Sequence, residues 1–290
     1  MSGYNWRVFK HIAADTVLLS GPTLLPLVDY YKRTIVIGHD LYFIEEPGKN
    51  IFLANYMRRL YRLFDKADRI MVNSNYTKRD FIKRLQIKPD KLKVVYPSFD
   101  SKDFHPGLSN LKSTLNLKQN DKIILSVGGD NPNKNIETIM RALQMLPNNY
   151  KLIRVGRNFN TIKLMNDLEI KDRIVFMGNT ELANLADLYR GSDVFVFPSL
   201  FEGFGIPLVE AMASGTPVVT SNRGAMPEVV GDAGIICDPF DVDCIAHAIL
   251  KLTNEDQIRR SYVRKGLSRC ELFTPESQFA SLSKVLEIGL

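Results

Sequence analysis

Short, almost uninterruptedly apolar runs rich in β-branched residues alternate with helix-length segments along most of this chain, and that rhythm constrains its fold more than any other feature. From residue 121 onward the runs fall at 123–127, 152–155, 174–177, 194–197 and 218–220. Strands that are apolar on both faces are expected of a parallel sheet covered on both sides, with the intervening segments as crossover helices. The pattern predicts a doubly wound α/β domain. The first part repeats it at 34–37, 70–73 and 92–96. At 290 residues the chain exceeds one typical core, so two such domains are expected.

Periodicity lapses where Pro97, Ser98, Asp100, Ser101, Pro106 and Gly107 cluster, which marks a linker. The expected organisation is therefore a short first domain over 1–106, a second over 107–272 and a closing helix over 273–290. Thr274 would cap that helix with Pro275 in its first turn, and another helix is expected near 255–269. No internal repeat or low-complexity tract is present.

Charge is shared unevenly. Residues 1–106 carry 18 Lys/Arg against 11 Asp/Glu, whereas 107–290 carry 20 against 21, so the net charge of +6 belongs to the first part. An anionic partner is expected there. Within 50–69, Leu53, Met57, Leu60, Phe64 and Ala67 recur at helical spacing, with Arg58, Arg62, Lys66 and Arg69 opposite. Two readings stand: a crossover helix with a solvated basic face, or contact of that face with an anionic membrane surface. Nucleic acid is not expected as a partner, because aromatics are not interleaved in a stacking pattern.

Cys237, Cys244 and Cys270 are odd in number and lack CxxC spacing or a nearby histidine pair. That argues against a zinc site or a disulfide framework and for a reducing compartment. Residues 17–31 are broken by Gly21, Pro22, Pro26 and Asp29, so they read as neither a spanning helix nor a signal peptide. A cytoplasmic protein, free or peripheral on the cytoplasmic membrane face, is expected.

The stretch most suggestive of chemistry is Phe201-Glu-Gly-Phe-Gly-Ile-Pro-Leu-Val-Glu-Ala-Met-Ala-Ser-Gly-Thr-Pro-Val-Val219. It leaves a strand, turns through Gly203 and Gly205, and enters a helix with Pro207 in its first turn. Glycines there let backbone amides approach a ligand, and the helix N-terminus beyond them favours an anion such as diphosphate. Glu202 precedes that terminus and Glu210 lies about one turn inside it; such carboxylates accept from sugar or ribose hydroxyls.

This stretch resembles the signature of retaining glycosyltransferases of family four, which have the two-domain GT-B fold. Val175-Phe-Met-Gly178, Gly191-Ser-Asp-Val-Phe-Val-Phe-Pro-Ser199, Ser221-Asn-Arg-Gly-Ala-Met-Pro-Glu-Val-Val-Gly-Asp-Ala-Gly234, Ile37-Gly-His-Asp-Leu-Tyr-Phe43 and Ala67-Asp-Arg-Ile-Met-Val-Asn-Ser-Asn-Tyr-Thr-Lys-Arg-Asp80 are also similar to it, closest to mannosyltransferase-like members. The resemblance implies that Glu202 contacts the donor sugar and Glu210 the nucleotide ribose. Phe204, Gly205 and Ile206 would line diphosphate and sugar with their main chain. Ser126-Val-Gly-Gly-Asp-Asn-Pro-Asn-Lys-Asn135 matches the family's strand, glycine turn and Lys-Asn pair. It makes Gly128, Gly129 and Lys134 further donor contacts, with Lys134 the cation for the leaving diphosphate. His39 falls where the family places a histidine near the transferred sugar.

The implied activity is retaining transfer of a mannose- or glucose-type hexose from a GDP- or UDP-sugar to a hydroxyl of a glycan or lipid-linked acceptor. The implied mechanism is same-face attack through an oxocarbenium-like ion pair, without metal or cofactor. Retaining glycosidases instead use two carboxylates about 5 Å apart with one as nucleophile, a role not assigned to Glu202. Two departures stand out. Gly129 occupies a position where the family commonly has arginine, leaving Arg157 or another group to compensate. The first domain also reads as shortened by its opening βα units. The alternative is therefore a non-catalytic or partner-dependent nucleotide-sugar-binding subunit, completed by another subunit.

Overall fold

The computed structural model describes residues 14–45, 51–129, 131–156, 162–178 and 181–286. Arg157 lies outside them. The chain divides into two compact units, Met1–Pro97 with Gln278–Leu290, and Ser98–Ser277.

The first unit contains β1 (Thr16–Leu19), β2 (Arg33–Gly38), α1 (Tyr42–Glu45), α2 (Ile51–Tyr61), β3 (Arg69–Val72), α3 (Asn75–Leu85) and β4 (Leu92–Val94). Among the described residues its strands form a parallel sheet in the order β1-β2-β3-β4. Side chains alternate across the sheet, so Val36, Ile70 and Val72 face one way and Ile35, Ile37 and Met71 the other. The first set packs with Leu25 and Leu27 of a 3-10 helix (Pro22–Tyr30), Met57 and Leu60 of α2, and Phe81 of α3.

The expected long basic helix is shorter than its spacing suggests. Helix α2 stops at Tyr61 and a 3-10 turn over Arg62–Lys66 follows. That turn keeps Phe64 on the buried side with Leu60, which is why the spacing reads as continuous. Leu53, assigned to the buried face, is 41% exposed. Arg69 belongs to β3 and gives Nη1 to the Val285 carbonyl at 2.5 Å, and Lys66 pairs with Asp29 at 2.8 Å. Of the four residues expected on the basic face, only Arg58 lies on α2, with Arg62 opening the turn after it.

The second unit contains α4 (Leu111–Thr114), β5 (Lys122–Val127), α5 (Ile136–Met145), β6 (Tyr150–Val155), α6 (Ile162–Asp167), β7 (Ile174–Met177), α7 (Leu182–Gly191), β8 (Val194–Phe197), α8 (Ile206–Ala213), β9 (Val218–Ser221), α9 (Met226–Val230), β10 (Gly234–Cys237), α10 (Val242–Asn254) and α11 (Asp256–Cys270). Its sheet is parallel throughout, in the order β10-β9-β8-β5-β6-β7. Counted from β5, that is the 3-2-1-4-5-6 order of dinucleotide-binding folds. Ile124, Leu152, Val194 and Val219 are buried against Ile139 and Leu143 of α5 and Ile245 and Ile249 of α10.

The division falls at Pro97/Ser98 rather than 106/107, and packing explains the difference. The Phe99 amide donates to the Phe273 carbonyl at 3.3 Å, Phe104 meets Tyr189 edge-on at 5.8 Å, and Arg190 Nη1 donates to the Asp103 carbonyl at 3.0 Å. The segment that reads as a linker is thus part of the second unit. The closing helix α12 (Pro275–Leu286) is capped by Thr274, whose Oγ1 accepts from the Ser277 amide at 3.2 Å. It ends in the first unit, where Leu282, Val285 and Leu286 cover the Ile35, Ile37 and Met71 face.

The cysteine reading is corrected. Cys237 and Cys244 form a disulfide, and Cys270 is free and buried. Cys237 ends β10 and Cys244 sits in the first turn of α10, so the short turn between them brings their Cα atoms to 5.9 Å. Neither spacing nor an odd count reveals a pair that the β-to-α turn creates. Among the described residues no helix is long and apolar enough to cross a membrane.

Candidate functional site

Strand order in the second sheet reverses at β5 and β8, and ligands of such sheets bind outside the carboxyl ends of the strands at that switch point. Lys134 lies in the connection after β5 and Glu202 in the connection after β8. Lys134 Nζ reaches Glu202 Oε1 at 2.5 Å and lies 5.2 Å from the centre of the Phe197 ring. Both side chains are mostly buried, at 19% and 16% exposure. Backbone and amide bonds stitch the two connections together: Leu200 N to Asn133 O at 2.7 Å, Asn133 Nδ2 to Phe201 O at 3.1 Å and Asn135 Nδ2 to Pro198 O at 3.2 Å. The cation and the carboxylate are thus held by the scaffold and not by loop chance.

The glycine turn after β5 has a support that sequence reading missed. Arg154, 2% exposed in the middle of the apolar run of β6, donates Nη2 to the carbonyls of Gly128 and Gly129, each at 2.9 Å, and Nη1 to Ser126 Oγ at 3.3 Å. An arginine inside a strand covered on both faces is the signal that could have found it, because a buried charge needs partners. Gly156 closes the same corner. With φ +120°, a Cβ there would lie 1.9 Å from the Gly128 carbonyl oxygen. Gly156→Ala is expected to destabilise the protein by about 2 kcal/mol or more and to displace the glycine turn. Urea unfolding checks the first effect and donor titration the second.

Beyond Glu202, Gly203 and Phe204 are buried, and Phe204 meets Phe273 edge-on at 5.4 Å. Gly205, at φ +104°, is the N-cap of α8, with Ile206 its first residue and no side chain capping it. This leaves the helix terminus open to a ligand. The Glu202 backbone is fixed from downstream. Its carbonyl accepts from the Ala225 amide at 3.0 Å, and a Cβ on Gly224 would come within 2.6 Å of that carbonyl oxygen.

Glu210 is half-buried on α8 and accepts at Oε2 from the Tyr189 hydroxyl at 2.9 Å. Burial raises its pKa above the usual carboxylate value, and the Tyr189 bond partly offsets this. Burial, then the Glu210 charge, raises Tyr189 well above its ordinary value. The folded protein therefore holds the Glu210 proton more tightly than the unfolded chain. Stability from this group is full below the unfolded glutamate pKa and is lost as pH rises through the folded value. Glu210→Gln is expected to gain about 0.5–2 kcal/mol at neutral pH, with no gain at pH 4, and to weaken nucleotide binding. Unfolding curves across that range are the check; a pH-independent difference would mean that the carboxyl is not desolvated.

His39 belongs to the first unit, directly after β2. The structure therefore gathers Gly128, Gly129, Lys134, Glu202, Gly203, Phe204, Gly205, Ile206 and Glu210 in one unit and His39 in the other. Asp40 is a local cap, its Oδ1 accepting from the Tyr42 amide at 2.9 Å. At the carboxyl ends of the first sheet, His39 lines a cavity of about 250 Å³ with Asn73, Gln278 and apolar residues including Leu18, Ile37 and Val95. Among the described residues Asn73 Oδ1 is buried without a hydrogen-bond partner.

Residues 109–269 match the family described as glycosyl transferases group 1, and residues 4–103 match Glycosyltransferase Family 4. Among curated relatives, O-antigen chain mannosyltransferase B of Escherichia coli is 33% identical over 261 residues, covering 85% of this chain and 68% of its own. O-antigen chain mannosyltransferase RfbU of Salmonella typhimurium is 32% identical over 248 residues, 81% of this chain and 67% of its own. Sucrose-phosphate synthase from Thermosynechococcus elongatus superposes with a TM-score of 0.85 at 22% identity, over 97% of this chain and 75% of that one. Anabaena HepE, solved with UDP and glucose, gives 0.82 at 19% identity, over 97% and 78%. With its two parallel α/β units and these matches, the chain belongs to glycosyltransferase family four and has the GT-B fold.

Proposed function

We propose that this glycosyltransferase moves a mannose- or glucose-type hexose, with retention of configuration and without metal, from a GDP- or UDP-sugar to a hydroxyl of a glycan or lipid-linked acceptor. The observation that carries the proposal is the Lys134–Glu202 pair at the switch point, 2.5 Å apart. It sets a diphosphate cation beside an acceptor for sugar hydroxyls, as adjacent parts of one donor require. The open α8 terminus would face the diphosphate and Glu210 the ribose. The mannosyltransferase relatives support a hexose donor, and the UDP and glucose bound to HepE support a nucleotide donor.

His39 would lie close to the transferred sugar, and the cavity it shares with Asn73 and Gln278 would take part of the acceptor. Asn73 Oδ1 is available to accept from an acceptor hydroxyl. A membrane-proximal acceptor is supported by α2. Ile51, Phe52 and Tyr56 are exposed at 66%, 90% and 49%, with Arg58 and Arg59 following and Arg62 just beyond the helix. Apolar side chains beside cations that pair with no carboxylate among the described residues suit the surface of an anionic bilayer. Charge reversal at Arg58 and Arg62 is expected to lower binding to phosphatidylglycerol vesicles at least about threefold, since each basic residue near such a surface is worth about 1 kcal/mol. Unchanged co-sedimentation removes the membrane reading.

The main test is a panel of UDP-, GDP- and ADP-sugars with membrane lipids as acceptor, in EDTA, comparing wild type with Glu202→Ala. A Glu202-dependent product of retained configuration supports the proposal, and a strict metal requirement or an inverted product overturns those parts of it. A second reading, a subunit that binds donor and transfers only with a partner, is favoured by the edge of the first sheet. Among the described residues β1 pairs only with β2, and its Leu18 is 46% exposed. Donor binding without product in the same panel would select it.

A further inference from the structure

The end of α8 opposite the donor loop lies beside an arginine-rich cavity that the proposed donor site does not use. Helix α8 spans eight residues, roughly 12 Å at 1.5 Å per residue. Its N-terminus opens on the candidate donor loop, and its C-terminus ends at Ser214 and Gly215, at the amino edge of the sheet. There Gly215, Gln257, Arg259, Arg260, Val263 and Arg264 line a surface cavity of about 660 Å³. Its polar lining consists of three guanidiniums and one amide, with no carboxylate among them.

Other cations of α11 have visible structural work. Lys265 pairs with Asp232 at 3.0 Å, and Arg269 donates Nε to the Val229 carbonyl at 3.0 Å and Nη2 to the Glu228 carbonyl at 2.5 Å. The three arginines at the cavity pair with no carboxylate among the described residues, and Arg259 Nε is buried without a partner. Arg260 and Arg264 stand four residues apart on one helix face, where like charges repel. A buried guanidinium N–H left without a partner and three like charges lining one cavity are both unfavourable in the empty protein. A ligand with several negative oxygens corrects both at once, and the guanidinium fork matches phosphate in geometry.

We propose that this cavity is a binding site for a phosphate-bearing ligand, separate from the donor site. The shared chemistry is a phosphoryl dianion, carried by a free phosphorylated small molecule or by a lipid headgroup. The test uses Lys134→Ala protein, so that anion contacts at the donor loop are removed, and titrates it calorimetrically with inorganic phosphate and pyrophosphate. Vesicles containing phosphatidic acid form a second arm. Saturable binding that weakens about tenfold or more in Arg260→Gln/Arg264→Gln is expected, with sulfate and phosphate at equal ionic strength compared to exclude a general salt effect. Both substitutions are on exposed side chains, and in the Lys134 wild-type background the double variant is expected to keep its melting temperature and its transfer activity measured without phosphate. Binding of phosphate in solution assigns a small-molecule source, and binding confined to the vesicles assigns a headgroup. Absence of saturable binding in both arms, or equal affinity in the double variant, overturns the site. Because α8 separates this cavity from Glu202, loss of donor transfer in Glu202→Ala leaves the result unaffected, so the two proposals fail independently.

Discussion

Replacing Glu202 by alanine is expected to reduce kcat about 100- to 1,000-fold while the protein still unfolds cooperatively near the wild-type temperature. The carboxylate contributes little to the core; its side chain meets Lys134 at the mouth of the sheet. Lys134→Ala is expected to fall within the same range, because in the proposed reaction the cation would sit where leaving-group charge develops. If both groups act on one bound donor, the double variant loses little beyond the worse single one, as groups working as a unit do. Multiplicative losses would mean that they serve separate steps, and near-wild-type turnover of either single variant would remove it from the reaction. Steady-state kinetics with the donor identified by the panel provide the measurement.

Arg154→Met is expected to cost about 3 kcal/mol of stability and to raise the donor KM more than it lowers kcat. The methionine fills much of the volume but strands the Gly128 and Gly129 carbonyls that the guanidinium joins. An unsatisfied acceptor of this kind costs about 1–3 kcal/mol. The KM effect distinguishes positioning from mere packing. Those carbonyls accept from Arg154, so in the proposed reaction the turn's opposite side would face the donor, and losing the clamp would free that orientation. Arg154→Lys, which cannot reach two carbonyls with a planar fork, is expected to recover only part of the affinity. A destabilised variant with unchanged donor KM would assign Arg154 to packing alone.

Much of this architecture is readable from local patterns because parallel strands covered on both faces must be apolar throughout. The runs at 174–177 and 194–197 coincide with β7 and β8. What escaped reading depends on long-range or irregular geometry. β10 was missed because Gly234 and Cys237 dilute its short apolar pair. The 3-10 turn after α2 preserves helical spacing for one more turn, which hid the true helix end. At the site, the loop carrying Glu202 and Glu210 is legible because the glycines and proline around them need special backbone at fixed offsets, whereas Lys134 stands out only through the family resemblance. Arg154, Gly224, Tyr189 and Asn73 were not singled out. Their roles depend on contacts 21 to 28 residues away or on an empty hydrogen-bond position, which no local pattern encodes.

The Lys134–Glu202 ion pair carries a consequence for which molecules can settle at the switch point. In the resting protein Lys134 neutralises one Glu202 oxygen and leaves the other to accept. A neutral hexose could use that oxygen but offers the cation nothing. In the proposed reaction a nucleoside diphosphate sugar would offer phosphate to Lys134 and hydroxyls to Glu202 on one framework. The pair would thus favour sugars that arrive already attached to phosphate over free ones.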